Sequence, residues 1–433
     1  MEMKPGYRQT DVGVISEDWE VDPLGALTDP KRPISYGIVQ TGPSVPNGVR
    51  CLRVLDVDGG RINKSALITT TKTISGAYKR TVLRSGDLVM PLRGKVGDVA
   101  SIDDDLTGCN LTRGLALIAI RSDWSASFCK QFISSIATRS RLEQSMNGSA
   151  LQEIPIATLR TFKIALPPTK AEQEAIAEAL SDVDTLIESL EQLLAKKRRL
   201  KQGAMQELIT GKKRLPGFEI KPGYKQTEVG MIPKDWKTAR FSEFMEFQNG
   251  VNADKSSYGT GIRFINVLEV ITRSHLHAQD IPGRVELSKS RATAYTVRRG
   301  DIVFNRTSET QEEVGLSAVY VCDESVVFGG FVIRGRPKDE RLHSIYAGYG
   351  LRAPLIRKQI AARGQGAIRA NIGQADLTKV LVPLPDKAEQ AAIAAILSDM
   401  DTEIAALEAK LAKAHQLKQG MMQELLTGRI RLV

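Results

Sequence analysis

The sequence predicts an α+β protein built as an internal repeat, with two β-rich mixed α/β globules and two long helices related by a pseudo-two-fold. Three observations predict it. Residues 169–211 and 386–428 are near copies at an offset of 217, agreeing at 28 of the 42 positions from Lys170 to Gly211. The segment "KPGYRQTDVGVISEDW" at 4–19 returns at the same offset as "KPGYKQTEVGMIPKDW" at 221–236. Between these copies lie two far more divergent stretches in which short β-rich runs alternate with turn signals.

In order, the chain reads as a repeated segment (1–19), a globule (20–168), a helix (169–214), the second segment (215–236), a second globule (237–385) and a second helix (386–433). Because "TGRIRLV" after the second helix answers "TGKKRLPGF" after the first, the repeat is expected to be cyclic in plan.

Each helix carries its own end signals. Thr169 and Asp386 suit the N-cap, and Glu172 and Glu389 three residues on can return a hydrogen bond to the cap amide. Gly211 and Gly428 suit the left-handed residue that closes a helix. Apolar residues step by four and three through Ile176, Leu180, Val183, Ile187, Leu190 and Leu194, and again through Ile393, Leu397, Met400, Ile404, Leu407 and Leu411. That is the seam of a coiled coil. A rod of about forty residues is roughly 60 Å long and cannot bury its seam alone. The simplest partner is the other copy, giving an antiparallel coiled coil. Gly203 and Gly420 lie inside the rods, where each costs about 1 kcal/mol relative to Ala, so a kink or a close backbone contact is expected there. The basic run Lys196 to Arg199 reads as a solvated helix face, and the second copy keeps little of it.

Within the globules, strands are expected at Val49–Val57, Gly86–Met90 and Val96–Ile102, and at Arg263–Val270, Gly300–Phe304 and Val314–Val321. Gly114–Ile120 reads as a buried strand. Two landmarks recur. One is a Gly-Asp-aliphatic start, in "SGDLVMPLRGKVGDVASI" and "RGDIVFNRTSETQEEVGLSAVY"; the other is a Gly-rich polar loop before a Pro-ended strand, in "NGSALQEIPIATLRTFKIALPP" and "GQGAIRANIGQADLTKVLVPLP".

The composition, 42% hydrophobic and 25% charged over 433 residues, is that of a soluble globular chain with ample core. No apolar run is long enough to span a bilayer, and the first residues lack the apolar core of a signal peptide, so a cytoplasmic protein without a membrane partner is expected. A formal charge of +10 favours an acidic partner such as nucleic acid, although lysines on solvated helix faces give the same sum. Cys51, Cys109, Cys129 and Cys322 have no paired spacing and read as free thiols. His275 and His277 share a strand face but lack a third ligand, so no metal site is assigned.

Taken together, the duplicated Leu-Pro lead-in with Ala-Glu-Gln, the Gln-Glu-Leu-x-Thr-Gly helix ending, and the two landmarks of each globule resemble the DNA-specificity subunit of type I restriction-modification systems over essentially the whole chain. The resemblance implies two target recognition domains, each reading one half of a split, asymmetric double-stranded DNA site. It also implies an antiparallel helix pair that spaces them and docks two modification subunits. Adenine methylation, with its S-adenosylmethionine, and ATP-dependent translocation and cleavage then belong to partner modification and restriction subunits. The sequence accords with that division. It has no Asn-Pro-Pro-aromatic motif for a flipped adenine, no Gly-rich cofactor loop and no phosphate loop, so no catalytic, cofactor-binding or metal residue is assigned. Asp386, Glu408 and Lys410 imitate a nuclease set, but Glu408 lies roughly 30 Å along the rod from Asp386.

Candidate DNA contacts follow from residue type, since Arg reads guanine, Asn and Gln read adenine, and Ser, Thr and Lys hold phosphates. The polar loops supply Tyr36, Gln40, Thr41, Arg93, Lys95, Asn147, Ser149 and Gln152 in the first globule. The second supplies Asn305, Arg306, Thr307, Ser308, Gln365, Arg369 and Asn371. The same residue types also serve in turns, Asn305 and Asn371 especially. The contrasting reading is a coiled-coil scaffold that joins two proteins without touching DNA.

Overall fold

Each globule is closed at its base by one short antiparallel pair. Glu20–Pro23 pairs with Lys163–Leu166, and Lys237–Arg240 pairs with Leu381–Leu384. The first and last strands of a globule therefore lie side by side where the chain enters a rod. The computed structural model describes residues 5–147, 152–219, 221–366 and 369–432. It divides into two compact units, one of Met1–Gln192 with Ala409–Val433 and the other of Leu193–Glu408. A unit thus holds one globule, the first part of the rod that follows it and the last part of the other rod.

In the first unit a four-stranded antiparallel sheet runs in the order Ala100–Ser101, Leu88–Pro91, Leu115–Ile118, Ser35–Tyr36. A three-stranded sheet of Asn110–Leu111, Val49–Leu52 and Ile68–Thr70 lies beside it in the chain. The second unit has a larger version, with Met245–Asn249, Val332–Pro337, Ile302–Asn305, Ser317–Tyr320 and His275–Leu276 in that order. Its second sheet is Arg284–Val285, Tyr258–Ile265, Val326–Phe328 and Thr296–Val297. The central strands are buried on both faces, which is why Leu88–Pro91, and Ile302–Asn305 up to its final asparagine, read as apolar runs. Three expected strands are cut short, and of Val96–Ile102 only Ala100–Ser101 remains. Arg263–Val270 turns at Asn266 into the helix Val267–Thr272, whose Glu269 carboxylate accepts from the Asn266 amide at 2.8 Å. Val49–Val57 breaks into a 3-10 turn at Val54–Asp56.

The rods are unbroken helices, Lys170–Ile209 and Lys387–Leu425. The Thr169 hydroxyl accepts from the Glu172 amide at 3.2 Å, as a cap should. The returning half of the capping box, expected from Glu172 and Glu389, is not made. Both carboxylates are buried, and an arginine takes each one. Arg431 pairs with Glu172 at 2.7 Å and with Asp18 at 2.8 Å. In the second unit Arg214 pairs with Glu389 at 2.6 Å and with Asp235 at 2.8 Å, and the Trp236 ring N–H donates to Glu389 at 3.0 Å. A charge-assisted bidentate pair outcompetes a single bond to one amide.

The neighbouring glutamines, Gln173 and Gln390, are also buried. Gln173 accepts from the Ser125 amide at 3.0 Å and donates to the Pro167 carbonyl. Gln390 accepts from the His343 amide at 2.9 Å and donates to the Arg341 and Pro385 carbonyls. At the other helix end, Gly211 and Gly428 have φ of 69° and 71°, and a Cβ there would lie within 3.1 Å of Trp236 and Trp19 respectively. Both the backbone and the packed indole exclude any other residue.

The seam has more than one kind of partner. Ile176 and Leu180 join the core of the first globule, together with Leu425 and Leu426 of the second rod. Ile393 and Leu397 join the core of the second with Leu208 and Ile209. Val183 and Ile187 bury against Ala414, with Leu190 and Leu411 partly buried beside them. Leu194 is buried, whereas Met400, Ile404 and Leu407 are half-buried. Ion pairs accompany these contacts, Lys418 to Asp184 at 2.6 Å in the first unit and Lys197 to Glu403 and Arg198 to Glu408, both at 2.6 Å, in the second. Among the described residues no helix is long and apolar enough to cross a membrane.

Gly203 and Gly420 meet no close neighbour, since a Cβ at either would have nothing within 4 Å. The expected close backbone contact is therefore absent within this chain. Replacing Gly203 or Gly420 by Ala should raise stability by about 1 kcal/mol each, additively, as read from denaturant midpoints.

Candidate nucleic-acid interface

The Gly-Asp landmark anchors the central strand of each globule at its buried end. Asp87 accepts from the Arg84 amide at 2.7 Å and holds Arg32 through two bonds of 2.6 and 2.7 Å. Asp301 accepts from the Arg298 amide at 2.9 Å and holds Arg336 at 2.6 and 2.8 Å. The two arginines arrive from different places, Arg32 from the loop before Ser35 and Arg336 from the neighbouring strand. The landmark is thus structural, and it fixes the strand whose far end carries the candidate residues.

At that far end the two polar loops of each globule meet, although some fifty residues or more separate them in sequence. In the first globule the Ile154 amide donates to the Leu92 carbonyl at 2.9 Å, and Asn147 and Glu153 exchange backbone bonds of 3.0 and 3.1 Å. A β-bridge joins Arg93 to Glu153. In the second globule the Ile372 amide donates to the Arg306 carbonyl at 3.0 Å, Gln365 and Asn371 exchange bonds of 2.9 and 2.8 Å, and Thr307 pairs with Asn371. The Tyr36 loop joins the same edge of the first globule. The Ile38 amide donates to Leu111, and the Arg113 amide donates to Ile38 at 2.8 Å.

These frames present some side chains freely and use others internally. Among the described residues Tyr36, Gln40, Arg93, Asn147, Gln152 and Gln365 are exposed and make no side-chain hydrogen bond or ion pair. Lys95 pairs with Asp58 at 2.5 Å, and that hydrogen bond holds the Asp58 carboxyl below the usual carboxylate range. Thr41 bonds locally to the Gly42 carbonyl at 3.4 Å. Arg306 donates to the Gly330 carbonyl at 3.3 Å, Thr307 to Asn371 at 2.6 Å, and Arg369 lies 3.7 Å from Glu309. Ser149 falls outside the described residues.

Two expectations are corrected by burial. Asn305 is fully buried and donates to the Glu313 carbonyl at 3.1 Å, and Ser308 donates to the Glu313 carboxylate at 2.7 Å. Both side chains bond within their own loop and hold it in shape. Selection by residue type also misses neighbours that the fold places on the same edge, namely Arg113, Glu153 and Phe331, all at least partly exposed. Glu153 lies inside the Gly-rich stretch and Phe331 follows Gly329-Gly330, but neither is a type expected on a polyanion.

Elsewhere, the His275 Nε2–H donates to the Ile345 carbonyl at 2.9 Å, and burial pushes its imidazole below the ordinary range. His277 lies 3.7 Å from the Cys322 sulfur. Among the described residues no group of three or more His, Cys, Asp or Glu side chains is placed to hold a metal.

If the Asp87–Arg32 pair anchors the frame, Arg32→Met leaves a buried carboxylate unpaired and should cost about 3–5 kcal/mol, measured by denaturant unfolding.

Comparison with known proteins places this architecture. A model of the type I restriction modification DNA specificity domain matches residues 38–196 and 233–416. The chain is 24% identical to a putative type I restriction enzyme MjaX specificity subunit from Methanocaldococcus jannaschii, over 98% of this chain and 97% of that one. It is 21% identical to the type I restriction enzyme EcoKI specificity subunit of Escherichia coli K12, over 96% of this chain and 90% of that one. In fold it is similar to the S subunit of a type I restriction-modification system from M. genitalium, with a TM-score of 0.58 at 14% identity, covering 98% and 99% of the two chains. A second solved chain, from a study of the assembly of a type I R-M system, gives a TM-score of 0.56 at 19% identity, covering 96% and 99%. With both repeats matched, the chain belongs to the type I restriction-modification DNA specificity family.

Proposed function

We propose that this chain is a non-catalytic sequence-reading subunit whose two target recognition domains, residues 20–168 and 237–385, each read one half of a bipartite, asymmetric double-stranded DNA site. One observation carries the reading: the two globules hold the same backbone frame at the same edge and present different free side chains on it. A frame repeated with altered readers suits one task performed on two targets. Methyl transfer, with S-adenosylmethionine, and ATP-driven cleavage fall to partner modification and restriction subunits, and the complex works in the cytoplasm.

The rods are proposed to form an antiparallel coiled coil that spaces the domains. In support, within the second unit Arg198 pairs with Glu408 and Lys201 with Asp401, and within the first Ile176 shares a core with Leu425 while Ile187 buries against Ala414, so contacts climb one rod while descending the other. Both rods also expose the same couple, Leu200 with Gly203 and Leu417 with Gly420, the leucines at 51% and 53%. Repeated exposed leucines beside a bare backbone suit two copies of one partner, and we assign them to modification-subunit docking.

Two experiments test these proposals. Ile187→Lys puts a cation where 5% of the residue is accessible and should cost several kcal/mol; unchanged unfolding would count against helix pairing. Adenine methylation should be mapped in cells carrying the full system, with and without Arg93→Ala. The expected map is a split site in which the variant loses discrimination at one position of one half, about 1–3 kcal/mol, with the other half intact. Equal weakening on every sequence would make Arg93 a phosphate contact instead.

A further inference from the structure

We infer that Phe331 is the sequence-determining residue of the second globule, standing where Arg93 stands in the first, and that it reads a thymine by its methyl group. The inference rests on the proposed DNA reading and adds to it a residue and a base.

Hydrogen bonds fix which positions correspond. The Leu92 amide donates to the Gly114 carbonyl at 2.8 Å, and the Arg306 amide donates to the Phe331 carbonyl at 2.9 Å. Leu92 and Arg306 then accept from Ile154 and Ile372. Leu92 therefore matches Arg306, Arg93 matches Thr307, and Gly114 matches Phe331. Register agrees, because Leu115 opposes Pro91 and Val332 opposes Asn305 in the adjoining strands.

At this place the globules have exchanged a large side chain between neighbouring strands. In the first, the large residue is Arg93. Its guanidinium lies over Gly114, and even a Cβ there would sit 3.6 and 3.7 Å from the Arg93 Nε and Nη2 atoms. In the second, the matching position is the short Thr307, and the neighbouring strand supplies Phe331, which is 62% exposed.

Phe331 is also held on a fixed backbone. The Gly329 amide donates to the Ile265 carbonyl at 3.0 Å, and the Val332 amide donates to the Gly329 carbonyl at 2.8 Å. Arg306 holds the carbonyl of Gly330. A Cβ on Gly329 would fall 2.6 Å from the Phe264 ring, and one on Gly330 would fall 2.0 Å from the Asn252 Oδ1. Exposure alone is ordinary for one side chain; it is the place of this ring on the proposed reading frame, where Arg93 stands in the first globule, that directs it at a base edge. If Arg93 meets guanine at a major-groove edge, the same frame brings Phe331 to the same edge. The apolar group found there is the thymine 5-methyl.

The test uses the full chain assembled with its modification subunits, and duplexes carrying the methylation site established for it. Each thymine is replaced in turn by uracil, which lacks only the methyl. The unaltered complex should lose roughly threefold to tenfold in affinity at one thymine of one half-site. The Phe331→Ala complex should bind thymine and uracil there equally, and Phe331→Leu should keep part of the preference. Phe331→Ala should melt like the parent, since the ring is exposed. The assignment is overturned if no thymine distinguishes the parent from Phe331→Ala. It is also overturned if Phe331→Ala weakens all duplexes alike, the mark of a wedge between base steps or a backbone contact. A parent complex with no split-site preference would instead sink the DNA reading itself, and this assignment with it.

Discussion

A buried carboxylate at the start of each rod is the constraint on which the rest of the structure depends. Glu172 and Glu389 are each about 1% accessible, and a charge so placed is tolerable only if it is paired and its remaining lone pairs are bonded. Arg431 and Arg214 meet that requirement, each from the segment that follows the opposite rod, and each also grips an aspartate beside the tryptophan of a repeated segment. One residue thereby ties a helix start, a helix exit and a β-hairpin into a single joint. The joint occurs once in each unit, built from positions that differ by the repeat offset of 217. Removing either arginine would strand a buried anion, so the motif tolerates little change on either side.

How much of this was legible in the sequence varied with the range of the interaction. The rods and their ends were legible because Thr169, Gly211 and the four-three seam act through neighbours three or four residues away. The role of Glu172 was not, because local spacing favours a cap while its true partner, Arg431, is 259 residues distant. Gly203 was misleading for a related reason: a Cβ there would meet nothing within 4 Å, so the expected close contact is not made within the chain. The compact units were also hidden. A linear division follows sequence copies, whereas burial joins Ile176 to Leu425 and Ile393 to Leu208.

In the globules, residue type located the right loops but sorted their members poorly. Arg93 and Asn147 do face outward, yet Asn305, the last residue of Ile302–Asn305 and next to Arg306, is turned inward to Glu313. Alternation along a strand decides such matters, and a one-residue ambiguity in register is enough to invert it. The Asp87–Arg32 and Asp301–Arg336 pairs show the complementary principle. They fix the same strand position with arginines recruited from different parts of the chain, so the frame is preserved while its support is rebuilt. Rigid support behind a variable edge is what precise recognition requires.

The buried glutamines at the head of each rod bear on how such a protein can evolve. Gln173 and Gln390 contact their globules only through main-chain groups, the amides of Ser125 and His343 and the carbonyls of Pro167, Arg341 and Pro385. Main-chain groups are common to every sequence. At these bonds the rod is indifferent to side-chain identity in the globule, provided the two base strands meet as Glu20–Pro23 and Lys163–Leu166 do. A change of side chain near either glutamine therefore leaves these bonds in place, while Ile176, Leu180, Ile393 and Leu397 still require apolar partners from the globule they join.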